Sequence, residues 1–467
     1  MRIKNKFSIF VGDKSHTVYK KQLLLLIMSA SFTKVMLILE TEKRGENKKS
    51  IKMTIKITAP KKLDTTIPLP ASKSISNRAL VIHALSGGNV TPLNLSDCDD
   101  TRVMGLALRD NPSTVDIGGA GTAMRFLTAY YAATSGEHVI TGTKRMKERP
   151  IAILVDALRY LGADIEYLGD EGFPPLRIRG RELDGGYIEM PANVSSQYIS
   201  ALLMIGPMLK HGIELKMTGD IVSRPYIDLT LWMMRVFGAE ADWTEVDTVT
   251  VSHKPYEPHT YLIESDWSSA SYWYEMLALS SDRDSSVKLE GLMDGSKQGD
   301  SVVKYIFSLL GVRTLFAERD GDGPTTVTLK KTIARLPRLD YDFVSSPDLV
   351  QTVVVCCALM DIPFRFTGLS SLRIKETDRI AALKREMMKL GYAIADEGTD
   401  VLSWDGLHSM PTGEPLDTYE DHRMAMSLAP AAMKFGSVTM NNPHVVTKSY
   451  PSFWDDMRRA GFVIEEV

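Results

Sequence analysis

The sequence predicts an α/β protein assembled from one repeated unit, with helices buried and sheets facing water, and three observations carry that reading. First, five segments share a form in which a helical pattern ends in an apolar residue and a glycine, then turns into a strand-like stretch: Leu161-Gly162-Ala163-Asp164-Ile165, Phe237-Gly238-Ala239-Glu240-Ala241, Leu310-Gly311-Val312-Arg313-Thr314, Leu390-Gly391-Tyr392-Ala393-Ile394 and Ala460-Gly461-Phe462-Val463-Ile464. Glycine just past a helix tolerates the left-handed turn that ends it. The five stand 70 to 80 residues apart, which suits a compact α/β unit and exceeds the short solenoid repeats. Second, about 30 residues after most of these glycines a polar cluster meets an apolar helix: Ser195-Ser196-Gln197 before 198–208, Asp266-Trp267-Ser268-Ser269 before 270–279, Pro347-Asp348 before 349–360, and Asp421-His422-Arg423 before 424–433. Third, 201–205 and 353–360 are apolar around the whole circumference, as a helix buried on every side must be. Thr248-Val249-Thr250-Val251-Ser252 and Thr326-Val327-Thr328-Leu329-Lys330 instead alternate, like strands with one wet face. An ordinary doubly wound sheet with its helices outside is the competing arrangement.

A chain of 467 residues exceeds what one hydrophobic core serves, so two or more domains are expected. The 44% hydrophobic and 24% charged composition is that of a globular protein, and a net charge of -3 argues against a nucleic-acid binder. Basic sites must therefore be local. Cys98, Cys356 and Cys357 form no CxxC or Cys/His spacing, so neither a disulfide framework nor a zinc site is supported, and a reducing cytoplasm fits. Residues 1–52 read differently: 4–21 is basic and irregular, 23–28 is a short apolar run and 40–52 is charged. A membrane span is disfavoured because 23–39 is short and holds Lys34. A signal peptide is disfavoured by the long stretch before the apolar core. An accessory extension outside the fold is the preferred reading, with the first strand starting after Met53 at Thr54-Ile55-Lys56-Ile57.

Candidate chemistry gathers at helix starts. Ala71-Ser72-Lys73-Ser74-Ile75-Ser76-Asn77-Arg78 leads into an apolar helix, where free N–H groups and the dipole favour an anion and Arg78 shares a face with Ser74; a solvated serine cap is the bland alternative. Gly118-Gly119-Ala120-Gly121-Thr122-Ala123-Met124-Arg125 lets backbone amides approach a ligand beside the Arg125 fork. It is neither a Walker A loop nor a dinucleotide fingerprint, and a tight structural turn is its alternative. Arg145-Met146-Lys147-Glu148-Arg149-Pro150, Ser223-Arg224-Pro225-Tyr226 and Arg373-Ile374-Lys375-Glu376-Thr377-Asp378-Arg379 are cation-bearing runs that read equally as solvated charge. In the last, Lys375 and Arg379 fall at i and i+4, the spacing of an exposed ion-pair ladder.

Taken in order, these motifs, with Asp421-His422-Arg423-Met424-Ala425-Met426, resemble the 5-enolpyruvylshikimate-3-phosphate synthases of the enolpyruvyl transferase family from about Met53 to the end. The resemblance implies two inside-out α/β domains, each of three βαβαββ-like repeats. It divides the chain into a discontinuous C-terminal-type domain (53–71 plus 265–467) and an N-terminal-type domain (72–264), with the active site in the cleft between them and hinges at the crossovers. It also implies transfer of the enolpyruvyl group from phosphoenolpyruvate to the 5-hydroxyl of shikimate 3-phosphate, with phosphate released, by a cytoplasmic monomer needing no metal or cofactor and no nucleic-acid or membrane partner.

By motif, Lys73, Ser74, Arg78, Ser195, Ser196, Gln197, Ser223, Asp348 and Lys375 are implied to hold shikimate 3-phosphate. Lys73, Gly121, Arg125, Arg149, Gln197, Arg379, Arg423 and Lys448 are implied for phosphoenolpyruvate. Asp348 resembles the family's proton acceptor and Glu376 its donor, with Lys73 beside them. Both substrates carry a phosphate and a carboxylate, so a cation-rich cleft is what their approach requires. Glu376, flanked by Lys375 and Arg379, is expected to ionise unless closure changes its surroundings. Gly119, Phe126 and Ser371 depart from the residues often found there, which bears on affinity and on sensitivity to glyphosate. UDP-N-acetylglucosamine enolpyruvyl transferase is the enzymatic rival and would need a cysteine before 151–161, where Thr143-Lys144-Arg145 stands. A non-catalytic anion-binding module is the other alternative, disfavoured by the presence of both Asp348 and Glu376.

Overall fold

The computed structural model describes residues 53–88, 92–193, 195–318, 323–334 and 336–467, and 53–467 form one compact unit. The readings of 1–52 lie outside the described residues. Each repeat glycine has a positive φ, from +82° at Gly238 to +101° at Gly162. A strand follows every one: Asp164–Tyr167, Ala241–Trp243, Val312–Phe316, Ala395–Glu397 and Val463–Glu466. The expected first strand is Thr54–Thr58, and the alternating segments form Thr248–Val251 and Thr325–Lys331.

Among the described residues, four of the five sheets share one topology. In one, Gly186–Pro191 runs parallel to Ile213–Thr218, which pairs antiparallel with Thr248–Val251, and Ala241–Trp243 takes the edge. Ser196–Ile205 links the first two strands, and Arg224–Val236 leads to the closing hairpin. This βαβαββ unit recurs around the parallel pairs Thr114–Asp116 with Gly136–Thr141, Leu339–Asp342 with Phe364–Thr367, and Asp64–Pro68 with Ser286–Leu292. The last pair is separated in sequence by about two hundred residues of other units. The fifth sheet has three strands, Ser437–Asn441, Thr54–Thr58 and Val463–Glu466, all antiparallel neighbours. Among the described residues, the unit starting at Lys73–Leu85 keeps only the bridge between Leu93 and Leu262 in place of a sheet.

Two apolar cores serve these units. One gathers Ala71 to Ile263; the other joins Ile55 to Leu69 with Trp267 to Phe462. The chain passes between the two lobes twice, side by side: Ala71 bridges Ser265, Ser72 N–H donates to the Glu264 carbonyl at 2.9 Å, and Asp266 N–H donates to the Pro70 carbonyl at 2.9 Å. At the centre of one lobe Lys73–Leu85, Gly121–Ala133 and Ser196–Ile205 touch one another; Trp267–Leu279, Val350–Leu359 and His422–Leu428 do so in the other. Every residue of Val350–Leu359 is buried, as expected of a helix without a polar face. The sheets form the outer layer, alternating buried and open positions, as in Ser286–Leu292.

The structure moves one boundary with a functional consequence. Most of the polar clusters are the first turns of the central helices, where the sequence places them before the helix. Ser195 accepts from Gln197 N–H at 3.3 Å and Asp421 from Arg423 N–H at 2.9 Å. Capping by these side chains therefore draws Ser196, Gln197, His422 and Arg423 into helical turns.

Candidate active site

The central helices of the two lobes meet at their starts, and two overlapping pockets lie there. One is lined by Lys73, Gly121, Arg125, Arg149, Gln197, Arg379 and Arg423, with Asp348, Glu376, Lys375 and His422. The other is lined by Lys73, Ser74, Arg78, Ser195, Ser196, Gln197, Ser223, Asp348 and Lys375. Lys73, Thr122, Ser195, Gln197, Asp348, Ser371 and Lys375 border both. Residues implied by motif for two ligands thus fall on two adjoining pockets. Lys448 borders neither; it reaches the first through Glu376 Oε1, 2.7 Å from its Nζ.

Within the pockets, carboxylates occupy the cations. Asp348 takes Arg423 Nη2 on Oδ2 at 2.7 Å and Arg379 Nη1 on Oδ1 at 3.2 Å, with Lys375 Nζ 3.8 Å away. Glu376 is shared among Lys448, Arg149 at 3.4 Å and Arg379 at 3.0 Å. Arg379, only 2% exposed, also donates through Nε to Asp421 at 2.7 Å, so its guanidinium spans three carboxylates. Burial alone would raise the Asp348 carboxyl, but Arg423, Lys375, Arg379 and Lys73 outweigh it and hold it well below the usual range. Glu376 is likewise held down against burial by Lys448, Arg149 and Arg379. Burial works against the charge on Lys73, yet Asp100, 3.6 Å from its Nζ, raises its pKa above the ordinary lysine value.

The alternative of an exposed i, i+4 ladder for Lys375 and Arg379 is set aside. The helix begins at Arg379 with Asp378 as its cap, and Lys375 precedes it in extended backbone. The two meet on Asp348 because the chain turns there, and both are drawn inward. Arg78 is 2% exposed and largely committed to protein: Nε donates to Thr230 at 2.6 Å, Nη1 to the Ser74 carbonyl at 2.9 Å, and Nη2 to Ser200 at 3.1 Å and the Tyr226 carbonyl at 3.3 Å. Ser223 has φ of +60°, a conformation held by the surrounding structure where it borders the pocket. Gln197 donates to Thr122 at 3.2 Å, which orients its amide where the pockets join.

Two residues at or behind the pockets, His422 and Asp300, escaped the sequence reading, and Ser371 entered it only as a departure from the residue often found there. His422 lies in the first turn of its helix with both ring nitrogens buried and without hydrogen-bond partners. Burial, then Lys73, Lys448 and Arg423, hold its pKa well below the ordinary value, so the ring is neutral. Asp300 is buried behind the pockets, accepting from Tyr226 Oη at 3.1 Å and bonded to Ser268, and its carboxyl is pushed up to about 6 by burial and by Asp348. Ser371 borders both pockets with its hydroxyl buried and unpartnered. His422 stood inside a motif already singled out. Asp300 followed no helix cap or charge run, and only the tertiary fold brings it in.

A family model described as EPSP synthase (3-phosphoshikimate 1-carboxyvinyltransferase) matches residues 57–111 and 110–457. The chain belongs to the EPSP synthase family. It is 57% identical over 410 residues to the 3-phosphoshikimate 1-carboxyvinyltransferase of Bacteroides fragilis, covering 88% of this chain and 98% of that one. It is 36% identical over 423 residues to the enzyme of that name from Shewanella halifaxensis, covering 85% and 96%. Among solved structures, an EPSP synthase from Acinetobacter baumannii superposes with a TM-score of 0.70 at 21% identity, covering 89% of this chain and all of that one; this likeness carries the fold. The paired α/β lobes are the EPSP synthase fold. The alternative of a doubly wound sheet with helices outside is set aside.

Proposed function

We infer that this chain transfers the enolpyruvyl group of phosphoenolpyruvate to the 5-hydroxyl of shikimate 3-phosphate, releasing phosphate, in the formation of aromatic amino-acid precursors. Family membership supports the reaction. The single structural observation that supports the assignment of residues is the pair of overlapping pockets sharing Lys73, Gln197 and Asp348. The pocket with Ser74, Ser195, Ser196 and Ser223 offers hydroxyls beside cations and suits the sugar-like substrate. The pocket with Arg125, Arg149, Arg379 and Arg423 suits the compact dianion.

In this reading a proton adds to C3 of phosphoenolpyruvate while the 5-hydroxyl oxygen loses its proton and attacks C2, giving a tetrahedral intermediate. Loss of a proton from the new methyl group and departure of phosphate restore the double bond. Asp348, held ionised, is the acceptor for the hydroxyl proton. Glu376 is ionised while Lys448, Arg149 and Arg379 attend it. Substrate phosphate and carboxylate groups draw those cations away, which raises the Glu376 pKa and lets it carry the proton for C3. The resident carboxylates thus stand in for substrate anions until the substrates arrive. Lys73, kept charged by Asp100, lies where both anions meet. The protein acts as a monomer in the cytoplasm, and its lobes close about the paired crossovers at Ala71 and Ser265.

No cysteine lies in 142–150, and the three cysteines are buried, which disfavours the UDP-N-acetylglucosamine reaction. The test is phosphate release by the purified protein. Release with phosphoenolpyruvate plus shikimate 3-phosphate, and none with either alone or with UDP-N-acetylglucosamine, is expected. Release with UDP-N-acetylglucosamine but not shikimate 3-phosphate would overturn the assignment.

A further inference from the structure

Asp300 lines neither substrate pocket, yet both of its oxygens are taken by side chains that lead to them. Oδ1 accepts from Tyr226 Oη at 3.1 Å, and Tyr226 borders the pocket assigned to shikimate 3-phosphate. Oδ2 accepts from the Ser268 hydroxyl. The Ser268 oxygen in turn accepts at 3.4 Å from Arg423 Nη2, the nitrogen that reaches Asp348 at 2.7 Å. Tyr226 belongs to one lobe, and Asp300, Ser268 and Arg423 to the other. One buried carboxyl therefore joins a residue of each pocket across the junction of the lobes. The chain around it is anchored at the crossovers. Gln298 Oε1 accepts from Ser72 Oγ at 3.0 Å and from Trp267 N–H at 3.1 Å, and its Nε2 donates to the Ser265 carbonyl at 2.8 Å. Gly299 lets the turn lie against the start of helix Arg224–Val236, since a Cβ there would stand 2.7 Å from Pro225 Cβ. Just before that helix, Ser223 N–H donates to the Val344 carbonyl at 2.9 Å.

We propose that Asp300 is a positioning residue for the reaction: it holds Tyr226 at the shikimate 3-phosphate pocket and, through Ser268, steadies Arg423 in the phosphoenolpyruvate pocket. The inference rests on the enolpyruvyl transfer proposed above. Packing alone does not account for this carboxyl. Asp300 is 2% exposed and bonds two hydroxyls rather than a cation, so its ionised form, which prevails above pH 7, costs stability. What the carboxylate supplies is direction. It can only accept, so the Ser268 proton points at it and the Ser268 oxygen is left to accept from Arg423. The Tyr226 proton is committed in the same way, which fixes the ring at the pocket wall. Because Gln298 and Gly299 pin the turn to both crossovers and to Pro225, these two aims are set from one rigid point.

The test compares Asp300→Ala, Asp300→Asn, Tyr226→Phe and Ser268→Ala by phosphate release, with each KM measured at saturation of the other substrate. In Asp300→Ala both KM values should rise about 3- to 10-fold, the loss of one hydrogen bond on each branch. Tyr226→Phe should raise only the KM for shikimate 3-phosphate, and Ser268→Ala only that for phosphoenolpyruvate. Asparagine keeps an acceptor for Tyr226 and a partner for Ser268, so Asp300→Asn should hold both values within about twofold of wild type. Asp300 acts on shikimate 3-phosphate through Tyr226, so adding Asp300→Ala to Tyr226→Phe should raise that KM no further. A purely structural carboxyl would lower the folded fraction of Asp300→Ala and leave both KM values where they are, and that result overturns the proposal. Equal impairment in Asp300→Asn and Asp300→Ala overturns it as well. Wild-type protein that releases no phosphate would instead fail the underlying reaction, a separate outcome.

Discussion

Replacing Gly121 with alanine sets a methyl carbon 2.5 Å from Arg149 Nη1, 2.8 Å from Arg125 Nη1 and 2.9 Å from Arg149 Cζ. Optimal non-bonded separations are about 3.5–4 Å, so both guanidiniums must retreat by about 1 Å. They have little room, being 8% and 5% exposed. Arg149 also gives up its 3.4 Å approach to Glu376, and Arg125 its 2.8 Å bond to the Gly121 carbonyl. Overpacking a buried site costs about 1–3 kcal/mol, and about 1.4 kcal/mol is tenfold in affinity. The KM for phosphoenolpyruvate should therefore rise about 5- to 100-fold. Neither arginine borders the pocket assigned to shikimate 3-phosphate, so its KM should move by less than about twofold. Glyphosate should lose more affinity than phosphoenolpyruvate. The assay is steady-state phosphate release by purified Gly121→Ala; an unchanged KM for phosphoenolpyruvate together with an unchanged glyphosate inhibition constant would refute the reasoning.

Arg78→Met should cost about 3 kcal/mol or more in urea unfolding, because it leaves Thr230, Ser200 and the Ser74 and Tyr226 carbonyls without their shared donor; a loss confined to substrate affinity would contradict that placement. Asp300, with a folded pKa of about 6 against 3.8 for the free group, binds its proton more tightly in the folded protein. Its contribution is thus fully present below the unfolded value and is lost as pH rises towards 6. Asp300→Asn, which keeps the bonding shape and cannot ionise, should be more stable than wild type above pH 7 by up to about 3 kcal/mol and lack that fall; parallel pH–stability curves would sink the assignment. Asp348 and Glu376 have depressed values, so their contribution is present above the unfolded carboxylate range and disappears as pH falls through the folded values. Asp348→Asn should accordingly flatten the acid limb of thermal stability below about pH 4.

Much of the fold was legible because glycine at a left-handed helix end and full-circumference apolarity are local signals. Gly162, Gly238, Gly311, Gly391 and Gly461 each mark a turn into a strand, and Val350–Leu359 is buried on every side. The order of strands within a sheet was not legible from the residues, since pairing Asp64–Pro68 with Ser286–Leu292 joins segments far apart in the chain. For the site, the helix-start clusters pointed to the pocket residues, and the family resemblance supplied their sorting into two ligands. Spacing alone left Lys375 and Arg379 open between a helical surface pair and the site, because the bend through Lys375, Glu376 and Thr377 that precedes the helix at Arg379 leaves no mark on an i, i+4 count. The neutrality of His422 and the elevated carboxyl of Asp300 depend on burial among groups contributed by distant segments, which no local pattern encodes.

The central claim is that Asp348 and Glu376 move the protons in a cleft whose cations they otherwise occupy. Its most direct test is phosphate release by the double variant Asp348→Ala, Glu376→Ala, with shikimate 3-phosphate binding measured on the same preparation. The account predicts turnover reduced by at least about 10⁴-fold in a protein that still binds shikimate 3-phosphate. Turnover within tenfold of wild type would contradict it.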